Sequence, residues 1–254
     1  MIKILKNILS IVKLYGALYL SLLLNFFFGK RRTKEMYHNF GNFLLNEVKT
    51  MNIESKIKFY KKDKIDEKKW GILVANHNSI IDCLVLVKLF MSNNIGWNDI
   101  KTVSRISKRM IQNKVLNIFD MLLLKKNLLD DTHNLNRILH KWRRENKPLQ
   151  IVLFPEGTIY NKKLSNYNNL LNPTNGIFEL LRYKLSEVEY VYDFTILYKI
   201  KNKRLIGEYE IITNLSNDDL EISVEMEKYN ISQIDEKWIF NVWDKKDKVI
   251  ERHL

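Results

Sequence analysis

Twenty residues, Gly71 to Phe90 (GILVANHNSIIDCLVLVKLF), constrain this chain more than any others. Ile72 to Ala75 is a short apolar run of the kind that forms a buried strand. Asn76-His77-Asn78-Ser79 breaks it. From Ile80 the apolar residues continue for longer than a strand lasts, interrupted only by Asp82 and Lys88, and that length specifies a helix. His77 therefore stands where a strand gives way to a helix, and Asp82 falls in the first turns of that helix. A His on such a loop and an Asp on the next helical turn can meet side chain to side chain. The carboxylate then fixes the imidazole tautomer and stabilises the imidazolium. A His held in this way takes a proton from a hydroxyl as a general base. Taken alone, the same pair also reads as a solvent-facing loop histidine followed by a helix-capping aspartate.

A second stretch, Gln150 to Thr158 (QIVLFPEGT), is built alike: an apolar run that stops abruptly, here at Pro155-Glu156-Gly157-Thr158. Together, Asn76-His77-Asn78-Ser79-Ile80-Ile81-Asp82 and Phe154-Pro155-Glu156-Gly157-Thr158 resemble the glycerolipid acyltransferases, the lysophosphatidic acid acyltransferase family. That family carries Asn-His-x-x-x-x-Asp as its first block and Phe-Pro-Glu-Gly-Thr as its third, in this order and at this kind of separation. The resemblance implies an α/β fold, a single mixed-sheet acyltransferase domain flanked by helices. It implies His77 and Asp82 as the catalytic pair, and assigns Glu156, Gly157 and Thr158 to acceptor binding. A carboxylate beside a phosphate would repel it, so Glu156 is expected to hold a hydroxyl or a neighbouring cation.

The chain has 254 residues, enough for one α/β domain with a sizeable core. It has three prolines, eight glycines and no linker-like stretch, so no second globular domain is expected. The lone Cys83 excludes an intrachain disulfide framework and a cysteine-based zinc site; inside an apolar helix it is expected in the core. A formal net charge of +13 favours anionic membranes, nucleic acids or anionic small molecules such as acyl-CoA. Part of that charge is compositional bias, because Lys, Asn and Ile are abundant throughout. No basic stretch interleaved with aromatics occurs, nor an RNP-like or zinc-finger pattern, so no nucleic-acid partner is expected. No metal-ligand cluster is visible; no metal or cofactor is expected, only acyl-CoA as co-substrate.

Residues 1–32 read as a membrane-anchoring amphipathic and hydrophobic helix, leaving 33–254 as the acyltransferase domain. On a helix, Lys3, Lys6, Asn7, Ser10 and Lys13 fall within roughly one third of the circumference. Leu14 to Phe28 then carries no charge, and Gly29-Lys30-Arg31-Arg32 closes the segment. Its uncharged part is short of the roughly 20 residues that span a bilayer, although snorkelling of Lys13 would lengthen it. The favoured arrangement is an anchor lying in or dipping into one leaflet, with a full span second. No small-residue cleavage site follows, which argues against a signal peptide.

The rest of the chain alternates helical and strand-like patterns. Thr33 to Met51 reads as a helix starting at Thr33, and 55–60 as a strand. Thr102-Val103 is a short strand, Ser104 to Ile118 a basic helix, Met121 to Leu124 a strand delivering Lys125-Lys126. In the resembled family the second block is an apolar strand ending in an Arg that contacts the acceptor's phosphate. Lys126 falls at the matching place, keeping the charge but not the bidentate fork. The family's preceding Gly and Pro are missing. Asp130 to Lys147 is a helix ended by Pro148, and Gly176 opens another, running to about Leu185. Glu189 to Tyr198 alternates as a strand. Many relatives have a Pro in this fourth block; here Asp193 stands instead, as in the branch with the lysocardiolipin and lysophosphatidylinositol acyltransferases. Arg204 to Thr213 and Leu220 to Glu227 read as further strands, and Ser232 as the cap of a final helix.

The implied reaction is direct acyl transfer from acyl-CoA to the free hydroxyl of a lysophospholipid, with His77 as base and Asp82 orienting it. Backbone amides at Ser79–Ile80 are candidate oxyanion donors. Membrane phospholipids and acyl-CoA are the expected partners. The expected location is an endoplasmic reticulum or mitochondrial membrane in a eukaryote, with the site facing the cytosol. The alternative is a catalytically silent lipid-binding or scaffold protein of the same fold.

Overall fold

A computed structural model describes residues 2–36, 40–105, 113–114, 117–118, 121–125, 128–160 and 165–254 of the chain. The elements, in order, begin with α1 (Ile2–Met36), α2 (Phe40–Thr50), β1 (Ile57–Lys62), β2 (Trp70–Ala75) and α3 (Ile81–Met91). They continue with β3 (Ile100–Arg105), β4 (Leu122–Leu124), α4 (Leu128–Arg143), β5 (Gln150–Leu153), α5 (Gly176–Lys184) and β6 (Val188–Ile200). The chain ends with β7 (Lys203–Arg204), α6 (Gly207–Asn214), β8 (Leu220–Asn230) and α7 (Trp238–Arg252).

The strands form one mixed sheet in the order β1-β8-β6-β2-β5-β3-β4, with β7 paired to β6. Five strands run parallel as neighbours, β6, β2, β5, β3 and β4. On the other side β8 returns antiparallel to β6, and β1 lies parallel to β8. The alternation of β2 shows why the sheet is covered twice. Leu73 and Ala75 join a core with α2, α3 and α6, while Ile72 and Val74 join a second core with α4, α5 and α7. A strand buried on both faces needs an unbroken apolar run, which is what Ile72 to Ala75 supplies.

Gly71 is a packing requirement. A Cβ there would come 2.4 Å from Gln150 Oε1 and 2.7 Å from a ring carbon of Tyr192. Parallel pairing also puts the C-terminal ends of β2, β5, β3 and β4 along one edge, the place where open α/β sheets bind ligands. The β6 strand overruns that edge. Phe194 pairs with Ala75, the last residue of β2, and β6 continues for six more residues to Ile200.

Five local expectations need correction. Arg204 to Thr213 is not a strand: after two residues of β7 it turns into α6. Gly207 takes a φ of 81° at the entry, Glu210 accepts the Ile206 backbone N–H at 2.8 Å, and Ile211 and Leu215 bury one helical turn apart. Ser232 does not cap the last helix. It lies in a short 3-10 turn capped by Asn230, and α7 begins later, at Trp238. No helix starts at Thr33; α1 runs on to Met36 past a break at Gly29, where φ is 75°. Cys83 is exposed rather than in the core, because α3 turns Asp82 and Leu84 inward on either side of it. Ser104 belongs to β3, and most of the helix expected after it lies outside the described residues.

Candidate active site

The residues after β2 close on themselves around Asp82, which is fully buried. Its Oδ2 accepts the backbone N–H groups of Asn78 at 2.6 Å and Ser79 at 3.0 Å, and lies 2.9 Å from His77 Nδ1. Its Oδ1 accepts the Tyr198 hydroxyl at 2.7 Å. Amides and a phenol are donors here, so we assign the proton of the His77 contact to Nδ1 as well. Nε2 of the neutral ring is then an acceptor. The ring stacks on Phe154, with centroids 4.3 Å apart and planes 24° from parallel, and keeps an 18% exposed side chain. It is pinned on one edge and one face, and the edge that carries Nε2 makes no hydrogen bond among the described residues.

The loop is fastened to the overrunning end of β6. Asn76 makes a two-way pair with the backbone of Ile196: its Nδ2 donates to the carbonyl and its Oδ1 accepts the N–H, both at 2.8 Å. Asn78 Nδ2 donates to the same carbonyl at 2.8 Å. Asn78 Oδ1 in turn accepts Arg204 at 3.0 Å. Beyond β5 the chain makes a tight turn in which Gly157, with a φ of 65°, donates its N–H to Phe154 O at 2.9 Å. The turn then pairs with the His77–Asp82 loop, Tyr160 N–H to His77 O at 2.7 Å.

That turn carries Glu156, and its setting is unusual. The residue is 5% exposed, and among the described residues neither carboxylate oxygen has a hydrogen-bond partner in good geometry, the His77 backbone N–H being the donor that bears on it. Burial pushes its carboxyl up to about 8, and the neighbouring Asp82 charge adds to this. The His77 backbone amide, Arg204 and Lys246 pull the other way and offset only part. Of the two partners expected for Glu156, a hydroxyl or a neighbouring cation, no cation is bonded to it directly among the described residues. Lys246 is instead bonded to Asp193, the residue of the fourth block, and to Phe194 O at 2.6 Å.

The other predicted residues are dispersed. Thr158 is exposed on the rim of the turn. Lys126 lies outside the described residues; its neighbour Lys125 is exposed at the end of β4. There an open cleft of about 530 Å³ is lined by Met121, Leu123, Lys125, His133, Asn134 and Arg137. None of these belongs to the His77–Asp82 loop or the Phe154–Thr158 turn. From β2 to β4 is three strand spacings, roughly 14 Å, so cleft and His77 share an edge of the sheet but not a cavity wall. The Ser79 amide, expected as an oxyanion donor, is committed to Asp82. Among the described residues no group of His, Cys, Asp and Glu could hold a metal ion.

The sequence model of the acyltransferase family matches residues 56–199, which contain β1 to β5, nearly all of β6 and every residue of this site except Arg204 and Lys246. The chain belongs to the acyltransferase family. It is 24% identical to the probable 1-acyl-sn-glycerol-3-phosphate acyltransferase 5 of Arabidopsis thaliana, over 94% of this chain and 65% of the plant protein. The chain thus spans somewhat less than two thirds of that relative's length. Its fold is similar to the crystal structure of the 1-acyl-sn-glycerophosphate (LPA) acyltransferase PlsC from Thermotoga maritima. The TM-score is 0.56 at 14% identity, covering 99% of this chain and 94% of that one.

Four residues of this acyltransferase-family chain carry no assignment from the sequence: Asn76, Asn78, Tyr198 and Arg204. The two asparagines had a signal, since polar amides flanking a His at the end of a wholly apolar strand need buried partners. Tyr198 and Arg204 had none, because their contacts cross 116 and 126 residues of chain.

Proposed function

We propose that this chain is an acyl-CoA-dependent lysophospholipid acyltransferase. The observation that carries the reading is the His77–Asp82 contact in a family member whose Phe154–Thr158 turn packs against the same loop. His77 Nε2 takes the proton from the free hydroxyl of a lysophospholipid, a 1-acylglycerol-3-phosphate or a related lysolipid. The oxygen attacks the thioester carbonyl of acyl-CoA and a tetrahedral intermediate forms. As it collapses, the C–S bond breaks and His77 returns the proton to the leaving sulfur, giving ester and free CoA. Asp82 holds the ring and balances the imidazolium formed midway. The acceptor supplies the nucleophile, so no acyl-enzyme is required.

The Glu156 carboxyl, neutral up to about pH 8, can donate a hydrogen bond to an acceptor oxygen instead of repelling an anion. Lys126, by its place in the second block, is our candidate for the acceptor's phosphate. The substrates' lipid nature is supported by α1. No helix among the described residues is long and apolar enough to cross a membrane. Yet Leu9, Val12, Leu20, Leu23, Phe26 and Phe27 of α1 are exposed, which suits a helix lying in one leaflet.

The test is CoA release by the detergent-purified protein offered acyl-CoA and a panel of lysophospholipids, beside His77→Ala. Release with one acceptor, lost in His77→Ala, is the expected outcome. Release unaffected by that substitution overturns the mechanism, and no release from folded protein with any acceptor favours the silent lipid-binding alternative.

A further inference from the structure

Arg204 is a buried guanidinium, 8% exposed, that makes no ion pair among the described residues. It lies on β7, beyond the stretch that the family model matches. Burying a cation without a carboxylate partner is costly, and its pKa is lowered by that burial. Among the described residues its hydrogen bonds go to two neutral amides, Asn78 Oδ1 at 3.0 Å and Asn169 Oδ1 at 3.2 Å, and its Nε has no partner. Its planar face covers the Tyr160 ring, 4.5 Å from the centroid. Stability alone is a poor reason to keep such a group, since an apolar side chain of similar volume would fill the space without desolvating a charge.

What the guanidinium joins is more telling. Asn78 is the residue whose backbone N–H makes the shortest contact to Asp82, and Tyr160 is the residue whose backbone N–H holds the His77 carbonyl. One planar group thus fixes a side chain on each of the two loops that meet at His77. The 168–169 loop is the third attachment, tied down by both Asp247 oxygens through the backbone N–H groups of Asn168 and Asn169.

We propose that Arg204 is a positioning residue of the acyl-transfer site, holding Asn78 and Tyr160 so that the His77–Asp82 pair and the Glu156 turn keep one fixed relation. It touches neither His77 nor Asp82 and acts through Asn78. Lysine keeps the charge but cannot present two donors in one plane to Asn78 and Asn169 while lying flat on a ring.

The inference rests on the acyl-transfer reading for its kinetic test, so a second measurement is independent of activity. In Arg204→Met and Asn78→Ala, kcat should fall about tenfold each with KM for both substrates within about twofold. The double variant should lose little more than either single one, because the two act as a unit. Arg204→Lys should recover only part. A raised KM with kcat unchanged, or losses that multiply, overturns the proposal. Independently, the Nδ1–H proton of His77, assigned by its absence in His77→Ala, should move upfield or vanish in the NMR spectrum of folded Arg204→Met. An unchanged resonance overturns the proposal even if the wild-type protein transfers no acyl group. Loss of the resonance in an inactive wild-type background upholds it while the acyl-transfer reading fails.

Discussion

Tyr198 donates its hydroxyl to Asp82 Oδ1 at 2.7 Å from the far end of β6, across 116 residues of chain. Both residues are buried to within 1% of completely, and the bond closes the last side of the carboxylate. Tyr198→Phe leaves the ring's packing in place and one carboxylate oxygen without a donor. A buried acceptor left unmade costs about 1–3 kcal/mol. We expect the variant to lose stability in that range and acyl transfer to slow about tenfold through a looser His77. Thermal unfolding and CoA release measure the two effects, and a variant as stable and active as wild type would sink this account of the pair.

The unequal legibility of the site follows from how its contacts are made. His77 and Asp82 are five residues apart, so the loop geometry that joins them is local and is legible as a strand, a break and a helix. The strand Ile72–Ala75 and the one ending at Phe154 are legible for the same reason: both are short apolar runs with abrupt stops. Tyr198 and Arg204 reach the loop only because β6 lies beside β2 and overruns it, and no spacing along the chain encodes that register. The α6 segment looks like a strand in the sequence because Tyr209, Ile211 and Thr213 put β-prone residues at alternate positions. What decides between them is Gly207 and the Glu210 cap, which act on the backbone. The polar stripe of α1 is legible as a stripe but not in its direction.

Glu156 gives a pH dependence with a definite sign. Its carboxyl titrates at an ordinary 4.5 when the chain is unfolded and near 8 when folded. Between those values the folded protein holds a proton that the unfolded chain has released. Stability attributable to this group therefore falls as pH rises through the window, and levels off above about pH 8. Glu156→Gln has no such proton. The expected result is a stability difference, variant minus wild type, that grows by on the order of a few kcal/mol from pH 4.5 to 8, at about 1.4 kcal/mol for each pH step of one. Urea unfolding at a series of pH values reads it. A difference that stays flat across this range would show that Glu156 is ionised in the folded protein.

Gly71 separates stability from chemistry. Gly71→Ala drives a methyl group into Gln150 Oε1 and the Tyr192 ring. Neither yields easily. Gln150 is held by hydrogen bonds to Asp66 O and Lys69 O, and the fully buried Tyr192 hydroxyl accepts the Asp66 backbone N–H. Overpacking of this kind costs about 1–3 kcal/mol. The residue lies at the opposite end of β2 from His77. We expect a lower unfolding midpoint with kcat close to wild type at temperatures where the variant is folded. A kcat loss with an unchanged midpoint contradicts the separation.

The orientation of α1 predicts how the protein meets lipid. On an ordinary surface helix the apolar stripe faces the core and the charges face water. Here the arrangement is reversed. Ser10 is fully buried, and Lys13, on the same stripe, pairs with the buried Glu47 of α2 at 3.6 Å. The outward stripe runs through Leu5, Ile8, Val12, Tyr19, Leu23 and Phe26, of which Phe26 is 82% exposed. A stripe this long left in water is an unmet hydrophobic surface, and on the membrane-bound reading proposed above a leaflet would cover it along its whole length. Binding to vesicles should therefore rest on apolar burial more than on charge. Leu20→Glu, Leu23→Glu and Phe27→Glu combined should lower partitioning onto phosphatidylcholine vesicles by about a hundredfold or more, while roughly 0.5 M salt changes wild-type binding by less than about threefold. Binding that salt abolishes and the triple variant retains would assign membrane attachment to the net positive charge instead of to α1.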